Sequence, residues 1–196
     1  MDGIAYGTSG HENDVSGRAP GDLELVRSFV SLHDHSPGAR DSLPPSAATI
    51  EAWLHGHGLL EGSASGNDLE WAATVLGDLR DEALGAGTAE TAERLSAAAA
   101  RTRLSICFGC SDDGPLHTTE SGVRGAVGRL VGIAFLSRLD GSWARLHACA
   151  NERCRSVFWD RSKNHSGRWC SMGSCGNQSK VRAFRERERA ATRSTR

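Results

Sequence analysis

Four of the six cysteines in this 196-residue chain lie near its C-terminal end, with a spacing that suits a metal ion. They form two pairs of the type Cys-x4-Cys, fifteen residues apart: Cys149, Cys154, Cys170 and Cys175. In a reducing compartment such spacing favours a metal site over disulfide bonds. Four thiolates complete the tetrahedral shell of one structural zinc ion. We therefore predict one zinc ion per chain, bound by these four side chains.

Two histidines are alternative ligands within the same segment. His147 precedes the first pair, and His165 falls in a predicted turn, but a site with four cysteines needs neither of them. Cys107 and Cys110 form a separate Cys-x-x-Cys pair. Because this pair ends a predicted strand rather than opening a helix, we interpret it as ordinary hairpin cysteines, with redox or metal chemistry as the alternatives.

The histidine pairs at 33/35 and 55/57 have a spacing of two residues. Side chains two residues apart point to different sides of a helix, so neither pair forms a good metal-binding face. We interpret them as surface or capping residues.

The segment that carries the cysteine pairs has a recognisable order of elements. Residues 157–159 predict a strand, residues 162–167 a turn and residues 168–169 a return strand, and a helical pattern follows Cys175. The turn that carries Cys149 and Cys154, here called the knuckle, is thus followed by a hairpin and a helix. This order resembles a treble-clef finger. The helix N-terminus would stabilise thiolate charge at the last ligand.

The charge of the chain is divided unevenly. Residues 149–196 hold ten Arg and two Lys against four acidic residues, a net charge of +8, whereas residues 1–148 carry −9. Four thiolates around one zinc ion reduce the first value to about +6. A basic end of this kind favours a polyanionic partner, most often nucleic acid. A solvated tail is the alternative.

The last predicted helix separates basic from apolar side chains. At about 100° per residue, Gln178, Arg182, Arg185 and Arg189 fall within roughly 60° of one another. Val181 and Phe184 occupy the adjacent flank, where we expect them to pack against the finger. The predicted contacts with nucleic acid are Lys163, Arg168, Gln178, Lys180, Arg182, Arg185 and Arg189.

A family resemblance is carried by the segment W-C-S-M-x-x-C-G-N-x-x-K, which spans Trp169 to Lys180. It resembles the signature of the CGNR zinc finger, with Gln178 in place of the family's arginine. The upstream C-A-N-x-x-C and F-W-D-R-S-K-N segments also match that family, so the resemblance covers residues 147–185. It implies a bacterial, cytoplasmic, DNA-binding protein.

The region before the finger resembles, more weakly, the ABATE domain of stress-induced transcription regulators. The similar features are the order of elements, a hairpin over residues 104–120 and the junction G-S-W-A-R-L-H-A-C-A-N. Apolar periodicity predicts five helices, and the alternation of Leu104, Ile106 and Phe108 predicts a half-buried strand. The predicted fold class is α+β: a mostly helical body with a small antiparallel β-hairpin, plus a C-terminal treble-clef-like zinc finger.

These patterns predict four segments. Residues 1–20 form a disordered tail, residues 21–147 the helical α+β ABATE-like domain, residues 148–190 the CGNR-type finger and residues 191–196 a basic tail. The longest purely apolar run, residues 133–136, is far short of the ~18 residues of a membrane span, and the N-terminus has no features of a secretory signal. We therefore expect a cytoplasmic chain without membrane contact.

The predicted function is a zinc-dependent DNA-binding transcription regulator that is not an enzyme, since no nucleophile elbow, phosphate loop or metalloprotease motif is present. We expect duplex DNA as the partner of the finger. A small-molecule effector or a protein partner is expected for the N-terminal domain. One alternative is a protein- or RNA-interaction module in which zinc is purely structural. A thiol redox protein that uses Cys107 and Cys110 is a third hypothesis.

Overall fold

The computed structural model of the chain describes residues 17–32, 45–108, 115–152 and 154–194. A 3-10 turn, Ser142–Arg145, precedes β3, and a π-helical turn, Met172–Gly176, precedes α6. In chain order the helices and strands are α1 Leu23–Val30, α2 Ala47–Gly56, α3 Gly66–Ala83, α4 Ala89–Arg101, β1 Ser105–Ile106, β2 Leu116–His117, α5 Gly122–Leu139, β3 Leu146–Ala148, β4 Val157–Trp159 and α6 Asn177–Ser194. The fold is α+β and mostly helical, with two small antiparallel strand pairs, and the predicted fold class is confirmed. None of the helices in these ranges has the length and apolar content needed to cross a membrane.

The core of the body lies between helices α1 to α5. Phe29 of α1, Ile50 and Leu54 of α2, and Leu130 of α5 are fully buried there. The predicted apolar face of α5 is buried as far as Ala134, but Phe135 is 51% exposed. Helices α2, α3 and α4 each begin after a hydroxyl side chain, because Ser46, Ser65 and Thr88 accept hydrogen bonds from backbone N–H groups of their first turns.

The hairpin of β1 and β2 packs closely on α5. Gly128 permits this approach, since a Cβ atom there would lie 2.9 Å from Thr102 Cβ and 3.1 Å from Thr118 Cβ, the residues that flank the two strands. The expectation of a half-buried strand is wrong beyond Leu104. Ile106 is 69% and Phe108 is 97% exposed, because β1 lies at the rim of the body and none of the described helices covers that part of its face.

The second strand pair joins the body to the finger. β3 and β4 are antiparallel, with Leu146 opposite Trp159 and Ala148 opposite Val157. The predicted return strand at residues 168–169 is therefore wrong, and the partner of β4 precedes the first cysteine. The reason is that the Arg168 carbonyl accepts a hydrogen bond from the Ala150 N–H (2.8 Å) in the knuckle, outside either ladder.

Contacts from α1 and α3 hold the finger against the body. Arg27 Nη1 and the Ser31 hydroxyl lie 3.0 and 3.1 Å from the Val157 carbonyl of β4. The buried Arg80 donates to the Val30 carbonyl (2.5 Å) and to the Arg155 carbonyl of the knuckle (2.7 Å). The finger is thus anchored by side chains of the body that donate hydrogen bonds to its backbone carbonyls. The predicted boundary between residues 147 and 148 falls inside β3.

Of the predicted tail 1–20, the structure describes residues 17–20. Ala19 is buried in the body core, and its N–H donates to Glu24 Oε2 (2.8 Å). Gly17 lies against the finger, where a Cβ atom would stand 3.3 Å from Phe158 Cβ. Gly17 and Ala19 are therefore packed against the rest of the protein, whereas Arg18 and Pro20 between and after them are exposed. The basic tail 191–196 coincides in part with α6, which extends to Ser194.

Candidate metal centre and adjoining basic helix

The four predicted ligands converge on one point. The sulfur atoms of Cys149, Cys154, Cys170 and Cys175 all lie within 4.8 Å of one another, and three of the four side chains are buried. Cys170 Sγ lies 3.6 Å from both Cys154 Sγ and Cys175 Sγ. Tetrahedral zinc with bonds of about 2.3 Å places its sulfur ligands about 3.8 Å apart. The cluster therefore fits one structural zinc ion, as the cysteine spacing predicts.

Tight turns present the sulfur atoms to the centre. In the knuckle, the Asn151 carbonyl accepts from the N–H groups of Cys154 (2.8 Å) and Arg155 (3.0 Å). Arg155 has a φ of +50°, and this left-handed residue reverses the chain after the second ligand. Cys175 lies in the π-helical turn just before α6, so the fourth thiolate faces the positive end of that helix.

The electrostatics of the cluster also favour a cation. Hydrogen bonding with Cys149 lowers the pKa of Cys154 far below that of an ordinary thiol. The same interaction raises the pKa of Cys149 to about 11, and hydrogen bonding with Cys149 and Cys154 raises the pKa of Cys170 strongly. One thiolate is thus stabilised by neighbours that must keep their protons. A divalent metal ion with high affinity for sulfur would allow all four groups to ionise together.

Asn151 connects the cysteine cluster to α6. Its side chain is 7% exposed, and Nδ2 lies 3.4 Å from both Cys175 Sγ and Gln178 Oε1. Groups that hydrogen-bond to metal ligands orient them and tune the site. Spacing and periodicity did not identify Asn151. The available signal is its place in the C-A-N-x-x-C segment.

Asp160 organises the loop that follows β4. The Ser162 and Gly167 N–H groups each donate to its carboxylate at 2.8 Å, and the Ser162 hydroxyl donates at 3.0 Å. Burial alone would raise the pKa of Asp160, but these hydrogen bonds outweigh it and lower the pKa. Gly167 permits the contact, since a Cβ atom there would lie 2.6 Å from Asp160 Oδ1. The sequence signal is the Asp-x-Ser pattern of an Asx turn.

The basic stripe of α6 borders an open groove of about 610 Å³. Its lining includes Asn151 together with all four residues of the stripe, Gln178, Arg182, Arg185 and Arg189. The structure therefore places these predicted side chains along one surface, beside the metal centre. Glu186 also lines the groove, so the groove is not uniformly positive.

The other three predicted nucleic-acid contacts lie elsewhere. Lys180 is exposed but does not line the groove, because it follows Gln178 by two residues and points about 200° around the helix. Lys163 and Arg168 are exposed in the loop after β4. The Arg168 guanidinium carbon lies 5.2 Å from the centroid of the Trp169 ring, a cation–π contact within the finger.

The expected packing of Val181 and Phe184 against the finger is wrong. Val181 is 41% and Phe184 is 55% exposed, and every residue from 180 to 190 is exposed. The reason is that α6 leaves the finger directly after the π-helical turn and projects from it. The apolar flank of the helix is consequently open to solvent along with the basic stripe.

The alternative ligands do not join the cluster. His147 lies in β3, where its buried Nε2 finds no hydrogen-bond partner among the described residues, and His165 is exposed in a turn with φ +49°. His57 stacks on Trp53 with ring centroids 4.1 Å apart. Cys107 donates its N–H to the Pro115 carbonyl (2.9 Å) next to β1. Cys110, His33 and His35 lie outside the described residues.

A buried cluster of four cysteines, built from a knuckle and a turn that leads into a helix, defines a zinc finger of the structural type. Residues 145–188 match the family model of the CGNR zinc finger. The resemblance of the segment Trp169 to Lys180 to the CGNR zinc finger is therefore confirmed. Residues 1–144 lie outside the match. A comparison with curated proteins finds no match to the chain.

Proposed function

We propose that this protein is a zinc-dependent DNA-binding transcription regulator in which α6 and the adjoining finger contact duplex DNA. The observation that carries the proposal is the position of the basic stripe. Arg182, Arg185 and Arg189 lie exposed along one groove on a helix that projects beside the metal centre. A projecting helix with arginines on one side can lie along the phosphate backbone or enter a major groove.

The division of charge supports the same partner. Residues 149–196 retain a charge of about +6 with zinc bound, whereas the body is acidic. The body would be repelled by phosphate, so it directs the finger and α6 toward DNA. At about 100° per residue, Glu188 lies about 60° from Arg185 and Glu186 about 40° from Arg182, so the usable stripe is the strip of helix between these two acidic residues.

Gln178 occupies the position next to the metal centre on this stripe. It replaces the arginine of the resembling family and carries no charge, so it supplies no ionic contact with phosphate. A glutamine amide can pair with the N6 and N7 atoms of adenine in the major groove. Asn151, 3.4 Å from Gln178 Oε1, would help to orient that amide.

The test compares two double variants that each remove two positive charges from α6. Arg182→Ala with Arg189→Ala removes charge from the groove side, and Lys180→Ala with Arg187→Ala removes it from the opposite side. Binding of the zinc-loaded chain to a random-sequence duplex is measured by fluorescence anisotropy at several salt concentrations. We expect the groove-side variant to lower the slope of log affinity against log salt by about two, since each lost phosphate contact contributes about 0.9.

The opposite-side variant is the matched control and should change the slope by well under half as much. Equal slopes for the two variants would mean that only overall charge matters. Unchanged affinity in both, with zinc still bound, would reject DNA binding by α6.

The second candidate function is a protein-interaction module in which zinc is purely structural. The specific observation in its favour is the exposed apolar flank of Val181 and Phe184, with Met172 58% exposed in the preceding turn. Helices that dock in protein grooves present apolar anchors with this i, i+3 spacing. If both double variants bind DNA with unchanged affinity while zinc stays bound, this candidate becomes the leading one.

A further inference from the structure

The body contains a second concave site, and its lining shares no residue with the metal centre. A cavity of about 440 Å³ opens between α3, α4, α5 and the hairpin of β1 and β2. Eleven of its fourteen lining residues are apolar, including Trp143 from the 3-10 turn. Its walls include small side chains, Ala99 of α4 and Ala134 of α5, which leave the space open.

We propose that this cavity binds a small, uncharged, largely apolar molecule of the size of two or three rings. The inference goes beyond the proposed function and does not depend on DNA binding by α6. Sites for small molecules usually have volumes of about 300–1,000 Å³, apolar walls and a few polar groups. The cavity has each of these properties.

The charges of the lining decide the class of ligand. Among the lining residues that the structure describes, the charged ones are Glu82 and Arg138, and they are paired with each other, since Arg138 Nη1 donates to Glu82 Oε2. An ionised ligand would have to displace one partner and leave the other charge unmatched. An uncharged ligand disturbs neither. Ser96 donates its hydroxyl to the Ala92 carbonyl (2.8 Å), so its oxygen remains an acceptor for one polar group of the ligand.

The mouth of the cavity is also apolar. Ile106 is 69% and Phe135 is 51% exposed, and both line the site. Water in contact with such side chains is unfavourable, and an apolar ligand that covers them gains free energy from their burial. The rim and the interior therefore both favour an uncharged, apolar ligand.

The probe pair for the test is N-phenyl-1-naphthylamine and 8-anilinonaphthalene-1-sulfonate, which share one ring system and differ by a sulfonate. The full-length, zinc-loaded protein is titrated with each probe, and fluorescence is recorded together with light scattering. We expect saturable binding of the neutral probe at one site per chain, with an affinity at least about tenfold higher than that of the sulfonate.

Ala99→Phe fills the cavity from a half-buried position and should weaken binding of the neutral probe by at least about tenfold. Ala97→Phe, exposed on α4 and outside the lining, is the matched control and should leave binding unchanged. Zinc content and thermal unfolding check that each variant folds. If Ala99→Phe fails this check, Ile106→Glu at the exposed mouth replaces it, with the same direction expected.

Three results would overturn the proposal. The first is no saturable binding to the parent protein, and the second is equal binding to the parent and the cavity variant. The third is a parent protein that is dimeric and binds no probe, together with a cavity variant that is monomeric. That result would assign the cavity to a second copy of the chain.

Discussion

At the scale of single residues, the metal centre depends on four thiolates and on the Asn151 side chain, which lies 3.4 Å from the sulfur atom of one of them. Spacing alone identified Cys149, Cys154, Cys170 and Cys175, because a tetrahedral thiolate site constrains the separation within each pair. Asn151 acts through contacts with Cys175 and Gln178, which become its neighbours only after the chain has folded. A local pattern cannot report partners more than fifteen residues away, so Asn151 was missed despite lying between two ligands.

The ligand set can be tested at Cys170, the least buried of the four. In Cys170→Ser a hydroxyl that stays protonated replaces a thiolate, so the site keeps three anionic ligands. We expect zinc affinity to fall by more than about 100-fold, beyond the usual effect of an outer-shell change. Native mass spectrometry reads the zinc content directly.

Cys107→Ser is the control, because this residue is disulfide-bonded, lies next to β1 in the body and is not part of the cluster. It should leave one zinc ion per chain. A full complement of zinc in Cys170→Ser would show that the ligand set is wrong.

At the scale of elements, periodicity predicted the helices well and the strands poorly. Helices α3 and α5 carry long apolar stripes, and a stripe with a 3.6-residue period needs only local information. Strand β4 was predicted, but its partner was not, because the pairing of β4 with β3 depends on a chain reversal through the metal-binding knuckle. The exposure of Ile106 in β1 likewise depends on how far α5 extends beside the hairpin, which no local pattern contains.

Arg80 is the element-scale link between α3, α1 and the finger. Arg80→Met keeps the long apolar stem but leaves the carbonyls of Val30 and Arg155 without this donor. Buried acceptors left unsatisfied cost about 1–3 kcal/mol each. Of the two bonds, the one to Val30 is buried and the one to Arg155 is only partly buried, so we expect the free energy of unfolding to fall by about 1–3 kcal/mol, and amide exchange in the knuckle to accelerate.

Chemical denaturation and hydrogen exchange with the zinc-loaded protein measure the two effects. Arg103→Met is the matched control, since its side chain is 74% exposed and pairs with Glu120 at the surface. Surface ion pairs contribute about 0–1 kcal/mol, so a small change is expected there. Equal stability of the two variants would remove Arg80 from the connection between body and finger.

At the scale of the whole molecule, two cores of different origin share one chain. The body core is built from apolar side chains of α1 to α5 and extends to Leu146 and Val157. The finger core consists of three buried cysteines around Phe158, with Trp169 and Cys170 packed against it. Burial alone stabilises the first core, whereas the second is too small to fold without its metal ion.

This difference predicts a separable response to acid. Zinc binding requires four thiolates, so protons leave the cluster when zinc binds, and hydrogen bonding with Cys154 raises the pKa of one ligand, Cys149, to about 11. A fall in pH therefore favours the protonated, metal-free cluster and weakens zinc binding, whereas a rise in pH strengthens it. A chromogenic chelator should report zinc release as the pH is lowered, and circular dichroism should show that most helix is retained at the release midpoint. Hydrogen exchange should then increase over residues 146–176 and change little in α3 and α5. Helix loss throughout the chain at that same midpoint would show that the body also depends on the metal, and would reject the division into two cores.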